Sequence, residues 1–72
     1  MDQMIEAAAR IFDFRRRELV NNIQGFSELL ADPHWPMPED TRLEYAEIVF
    51  ASTLALEDEE QKFLALMTRA DC

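Results

Sequence analysis

The feature that most constrains the fold of this chain is the placement of its prolines. All three, Pro33, Pro36 and Pro38, lie close together near the middle of the 72-residue sequence. Proline lacks a backbone donor, costs about 3 kcal/mol inside a helix and disfavours helical geometry in the residue before it. Residues 32–37 are therefore predicted to form a loop. The segments on either side have no proline and are free to be helical.

The first segment, about residues 3–31, has the apolar periodicity of one amphipathic helix. Its apolar residues recur mostly three or four positions apart, which places them on one face. Asp2 is positioned to cap the start of this helix. The only glycine, Gly25, costs about 1 kcal/mol relative to alanine in a helix and predicts close packing or a mild bend. The stripe consists of Met4, Ile5, Ala8, Ile11, Phe12, Leu19, Ile23, Phe26, Leu29 and Leu30.

The second segment, about residues 38–70, is predicted to open with Pro38 in the first helical turn. A capping box at Thr41 and Glu44 offers a competing start. An acidic run at residues 57–60 interrupts the apolar stripe, so a break near Leu56 and a three-helix arrangement form the alternative. The stripe consists of Leu43, Ala46, Val49, Phe50, Thr53, Leu54 and Leu56, and it resumes at Phe63, Leu64, Leu66 and Met67.

Two long helices joined by a short loop predict an all-α antiparallel hairpin that forms a single domain, residues 1–72. Chains below roughly 70–80 residues usually need disulfides, a metal or a partner chain. The only cysteine, Cys72, excludes an internal disulfide, and the only histidine, His34, lacks the Cys/His spacing of a metal site. We therefore expect a homodimeric four-helix bundle with no metal or cofactor. Its expected core is Ile11, Phe12, Leu19, Ile23, Phe26, Leu30, Leu43, Phe50, Leu54, Phe63, Leu64 and Met67.

The charge balance narrows the range of partners. Seven basic and 15 acidic residues give a net charge of −8, which repels nucleic acids and anionic membranes. No apolar run is long enough to cross a bilayer, and the N-terminus lacks the layout of a signal peptide. With its cysteine unpaired, the chain is expected to be cytoplasmic.

Two stretches of the sequence resemble a known signalling domain. Residues 23–30 read Ile-Gln-Gly-Phe-Ser-Glu-Leu-Leu, preceded by Leu-Val-Asn-Asn. This is similar to the leucine-asparagine-x-isoleucine-x-glycine-phenylalanine-serine-glutamate-leucine-leucine pattern that ends the phosphoacceptor helix of sensor histidine kinases, in their dimerisation and histidine-phosphotransfer domain. Residues 44–49, Glu-Tyr-Ala-Glu-Ile-Val, with Ala51-Ser52, are similar to the opening of its second helix. The resemblance covers about residues 13–69, with leucines at matching positions near 56, 64 and 66.

The departures from that pattern bear on function. Alignment on Gly25 places Phe14 where the family has its phosphoaccepting histidine, and a phenyl ring has no nucleophilic nitrogen. Leu19 stands where the motif usually has proline, and the boxes of the ATP-binding domain are absent from this sequence. The resemblance thus implies a non-enzymatic module that keeps two family roles, dimerisation and docking of response-regulator receiver domains or a kinase. The expected partner-binding residues are Phe14, Arg15, Arg17, Glu18 and Asn21.

Other readings of these residues stay open. The arginines at 15–17 could instead pair with the acidic run 57–60 of the other helix, because antiparallel packing brings residue 13 near residue 58. Trp35 is expected to cover the end of the bundle or to serve as an exposed anchor. Asn21 and Asn22 either fix the register from a buried position or lie at the surface. The alternative function is a structural or adaptor hairpin, chaperone-like or secretion-associated, that is unrelated to phosphotransfer.

Overall fold

The computed structural model describes residues 2–71, and it describes the side chains of residues 3–69. Two helices make up this part of the chain: α1 is Asp2–Ala31 and α2 is Glu39–Asp71. They lie antiparallel against each other, and residues 2–71 contain no strand. The all-α hairpin predicted from the sequence is confirmed. Cys72 lies outside the described residues.

The loop falls where the prolines predict it, and Asp32 organises its turn. The Asp32 amide donates to the Leu29 carbonyl at 3.4 Å, which closes the end of α1. The Asp32 carboxylate accepts a hydrogen bond from the His34 amide at 2.8 Å. The backbone carbonyl of Asp32 accepts one from the Trp35 amide at 3.3 Å. An aspartate that binds the backbone two residues ahead is a common way to start a turn.

The start of α2 lies one residue beyond the predicted one. The Arg42 amide donates to the Pro38 carbonyl at 3.1 Å, so Pro38 caps the helix from outside and does not occupy its first turn. Glu39 and Asp40 fill the first turn, where carboxylates favour the positive end of the helix dipole. The competing start at Thr41 is wrong, since Thr41 already lies inside the helix.

The alternative break near Leu56 is also wrong, because α2 runs unbroken through the acidic segment. Glutamate has a good intrinsic helix propensity, and the residues of this run other than Glu59 are exposed, so their charges remain in water. The acidic run therefore interrupts the apolar stripe of α2. It did not end the helix.

One continuous seam holds the two helices together. Near one end the Phe12 and Phe63 rings stack with centroids 4.6 Å apart, and near the loop Phe26 and Tyr45 meet edge to face at 4.9 Å. Aromatic pairs in these geometries contribute about 0.5–1.5 kcal/mol beyond their area burial. Between and beyond them, α1 contributes Ile5, Ala9, Arg16, Leu19, Ile23 and Leu30, and α2 contributes Val49, Ser52, Leu56, Glu59 and Met67.

The seam does not amount to a closed core. Among residues 3–69, Ser52 is the only buried residue, at 8% exposure, and no apolar side chain in this range is buried. The hairpin measures 52 × 15 × 12 Å, so it is a thin pair of rods with solvent on all sides. The first of the two expectations for Gly25, close packing, is wrong inside the hairpin, because a methyl group there would meet no other element within 4 Å.

The Phe12–Phe63 pair provides a test of the seam. We expect Phe63→Ala to lower the free energy of unfolding by about 2 kcal/mol, less than a fully buried phenylalanine because the ring is only partly covered. A double-mutant cycle with Phe12→Ala should yield a coupling of about 1 kcal/mol. Chemical denaturation followed by circular dichroism, at one fixed protein concentration, measures both quantities. Phe14→Ala, which removes an exposed phenyl ring, is the matched control, and additive single-mutant effects would contradict the stacking.

Candidate protein-interaction site

Phe14, the residue that the sequence resemblance aligns with a phosphoaccepting histidine, is well exposed. Phe14 has 64% of its surface open to solvent and points away from α2, since the seam residues Phe12 and Arg16 lie on the opposite side of α1. Arg17 and Asn21 follow Phe14 at intervals of three and four residues, so they share this outer side. The structure thus places three of the five predicted partner-binding residues on one strip of α1.

The other two predicted residues, Arg15 and Glu18, lie on the adjacent flank of α1. The Arg15 guanidinium binds Glu59 Oε1 at 2.9 Å, which joins the two helices. The predicted pairing between the arginines and the acidic run is therefore confirmed for Arg15. An exposed ion pair of this kind contributes about 0–1 kcal/mol.

Arg16 and Arg17 do not reach α2, as they pair instead with Asp13 on their own helix. The distances are 3.0 Å from Arg16 Nη2 to Asp13 Oδ1 and 3.1 Å from Arg17 Nε to Asp13 Oδ2. Chiefly because it accepts the Arg16 hydrogen bond, Asp13 has a carboxyl pKa below its ordinary value, and the positive charges of both arginines act in the same direction. On α2, the Lys62 pKa is raised, mainly by its hydrogen bond to Asp58.

A shallow open groove runs along the flank of the hairpin that carries the Arg15–Glu59 ion pair. The larger part, about 710 Å³, is lined by both helices, with Ile11, Phe14 and Leu19 from α1 and Ala55 from α2. A second part continues toward Ala8 and Leu66. Ile48 and Ala51 extend the same side of α2 by the helix repeat. We call this apolar flank, with Ile11, Ile48, Ala51, Ala55 and Leu66 at its centre, the groove face.

The residues predicted as a dimer core lie in four different places. Phe12, Leu19, Ile23, Phe26, Leu30, Phe63 and Met67 lie in the seam and contact the other helix of the same hairpin. Ile11 lies on the groove face. Leu64 lies on the opposite flank of α2, because it is two residues from Leu66 and one residue advances a helix by about 100°. Leu43, Phe50 and Leu54 lie on the outer side of α2, away from α1.

That outer group on α2 is the feature that sequence reasoning missed. The sequence pattern groups Leu43, Phe50 and Leu54 in one stripe with Val49 and Leu56, but within the hairpin only Val49 and Leu56 lie in the seam. The sequence does contain a sign that α2 is apolar on more than one side, because residues 48–51 are four consecutive apolar residues. Four consecutive residues of a helix point around its whole circumference, so they cannot all face one partner.

The remaining candidates are open to solvent. Asn21 and Asn22 are both exposed and line a small recess with Gly25 and Leu29, so the buried, register-fixing position is wrong within the hairpin. Trp35 is 52% exposed, more than expected of a side chain that covers the end of the hairpin. In the described residues, no three histidine, cysteine, aspartate or glutamate side chains are grouped as metal ligands.

Neither described helix has a stretch long and apolar enough to cross a membrane. Comparisons with protein-family models, with curated proteins and with solved structures find no match to this chain. The resemblance to the histidine-kinase dimerisation domain therefore stays a prediction from the sequence.

The Asp13 cluster predicts an acid-dependent loss of stability. A carboxyl whose pKa is lowered by folding stabilises the native state above its unfolded pKa, and this contribution disappears as the pH falls through the lower, folded pKa. We expect Asp13→Asn to be less stable than the wild type at neutral pH and equally stable once the pH lies below both pKa values. Thermal unfolding across this range measures the difference. NMR titration should show a higher Asp13 pKa in Arg16→Ala, and an unchanged pKa would contradict the proposed cause.

Proposed function

We propose that this chain is a non-enzymatic interaction module that pairs with a second copy into a four-helix bundle and binds a receiver domain or a sensor kinase. In this role it modulates two-component phosphotransfer by occupying a docking surface, without accepting phosphate itself. The observation that carries the proposal is the apolar groove face, which the hairpin leaves uncovered. The runner-up is a structural or adaptor hairpin with no link to phosphotransfer.

The exposed area supports pairing with a second copy. A compact monomer of this mass exposes about 4,600 Å² by the size scaling of globular proteins. The hairpin exposes 5878 Å². The excess is larger than the roughly 800 Å² that each partner buries in a standard stable interface. A second hairpin laid on the groove face would supply the missing layer and bury Ile11, Ile48 and Leu66.

The division of charge between the helices supports a particular contact in this dimer. The α1 sequence has four basic and five acidic residues, whereas α2 has three basic and nine acidic residues. Contact between two copies of α2 would bring like charges together, and contact between α1 and the partner's α2 would not. We therefore propose that α1 of one hairpin packs against α2 of the other at the groove face.

The docking role rests on Phe14 and its neighbours. In the sequence resemblance, Phe14 aligns with the phosphoaccepting histidine of the kinase domain, and its side chain is exposed on the continuous helix α1. Arg17 beside it is exposed, and Arg15 lies on the next flank. Receiver domains of the family have acidic active sites, so an exposed phenyl ring flanked by arginines suits them sterically and electrostatically. Without a nucleophile at residue 14, such a complex would hold the receiver domain without transferring phosphate.

The groove face predicts the oligomeric state and its disruption. We expect the wild type to sediment as a dimer at micromolar concentration, and Ile11→Glu to weaken association at least about tenfold, or roughly 1.4 kcal/mol. Leu64→Glu adds the same charge at a similarly exposed position on the opposite flank and should remain dimeric. Analytical ultracentrifugation of the three proteins measures this. A folded wild-type monomer, or equal weakening by both variants, would contradict pairing through the groove face.

The docking surface predicts selective loss of receiver binding. We expect at least one receiver domain or sensor kinase from the same organism to bind the wild type in calorimetry, and Phe14→Ala or Arg15→Glu to reduce that affinity about tenfold or more. Phe50→Ala removes an equally exposed phenyl ring from α2 and is the matched control. If Phe50→Ala weakened binding as much as Phe14→Ala, the docking site would not be the surface around Phe14. A chain that binds none of these proteins would favour the structural or adaptor function.

A further inference from the structure

The hairpin has a second apolar surface on the outer side of α2. Leu43, Phe50 and Leu54 are 56%, 63% and 51% exposed, although the helix that carries them packs against α1 along its other side. Their spacing of seven and four residues keeps them on one strip about 17 Å long. We call this strip the outer α2 surface. It is distinct from the groove face, so a second hairpin seated on the groove face leaves it open.

The charges around the outer α2 surface are almost all negative. Glu47 lies on the strip itself, between Leu43 and Phe50, and Glu39 and Glu57 lie one turn beyond its two ends. Arg42 is the only basic residue of α2 between Glu39 and Glu60. Three large apolar side chains are therefore framed by carboxylates, a pattern that favours a cationic partner over a neutral or acidic one.

We propose that the outer α2 surface binds a basic amphipathic helix of another protein. A helix with apolar residues three or four positions apart would pack its apolar stripe on Leu43, Phe50 and Leu54, as in helix-in-groove recognition. Lysine or arginine residues flanking that stripe would meet Glu39, Glu47 and Glu57. The strip spans about three helical turns, which matches a short helical segment.

A second copy of this chain fits the surface poorly. Pairing two outer α2 surfaces would place the same glutamates opposite each other. The outer side of α1 carries arginines, but it offers Phe14 as its single large apolar residue at residues 10–21 and cannot match a strip of three. Charge and shape therefore both favour a different protein as the partner.

The test uses a synthetic helical peptide of about three heptads, with leucine at the two seam positions of each heptad and lysine at the flanking positions. We expect calorimetry to show one peptide bound per chain, with affinity that falls as salt is raised. Phe50→Gln combined with Leu54→Gln should lower the affinity at least tenfold. The matched control, Met4→Gln combined with Leu64→Gln, removes two exposed apolar side chains elsewhere and should bind the peptide normally.

Four results would overturn the proposal. They are no peptide binding by the wild type, equal binding by the Phe50→Gln/Leu54→Gln variant, equal binding of a peptide with glutamate in place of lysine, and wild-type oligomers larger than a dimer that this variant abolishes. The last result would assign the surface to a second copy. Circular dichroism and sedimentation of each variant establish that helix content and dimerisation are intact. Receiver binding should be unaffected in this variant, so the proposed function and this inference fail independently.

Discussion

Two helices alone can cover only one stripe of each other, and the rest of this structure depends on that geometric limit. The seam uses about one third of the circumference of each helix, and its side chains are only partly covered because nothing lies above or below them. Phe12, Phe63, Phe26 and Tyr45 make the aromatic contacts of the seam, yet none is buried. In a chain with no internal disulfide, the groove face is therefore where further stabilisation can be gained.

Polar groups inside the seam influence how the helices align. Arg16, Ser52 and Glu59 all lie at seam positions, and Glu59 accepts the interhelical ion pair from Arg15. A shift of α2 by one turn would break this pair and both aromatic contacts. Ion pairs at such exposure add little stability, so their effect is mainly on register, where the aromatic pairs act in the same direction.

The three proposed interactions use surfaces with different apolar and charge character, and the docking residues Phe14 and Arg15 border the groove face. The groove face is apolar and lined by alanines, which suits close packing of another helical layer. The outer α2 surface combines large apolar side chains with carboxylates, which suits a cationic helix. Phe14 lies on α1 between arginines, so its surroundings have the opposite charge. A single thin hairpin can present three such surfaces because so little of it is used in covering itself.

The side chains that share one side of a helix are easier to predict from the sequence for the candidate docking strip than for α2, for a physical reason. Phe14, Arg17 and Asn21 lie on one helix, where spacing alone determines which side chains share a side. The faces of α2 are harder to separate by spacing, because that helix carries apolar residues nearly all round, Phe50, Leu54 and Leu64 among them. Which of them meet α1 depends on the rotation of α2 about its own axis. That rotation is set by contacts with another helix.

The sequence by itself determined the loop and the helical character of both flanking segments: clustered prolines require a loop at residues 32–37, and the residues on either side favour helix, although the start of α2 and its continuity past Leu56 stayed open. These are local backbone effects, so no distant residue changes them. The tertiary structure decided which apolar residues are covered, that Arg15 pairs across to Glu59 while Arg16 and Arg17 pair with Asp13, and that Leu43, Phe50 and Leu54 face solvent. Those outcomes depend on how one helix is rotated against the other, a quantity defined only once the two are packed together.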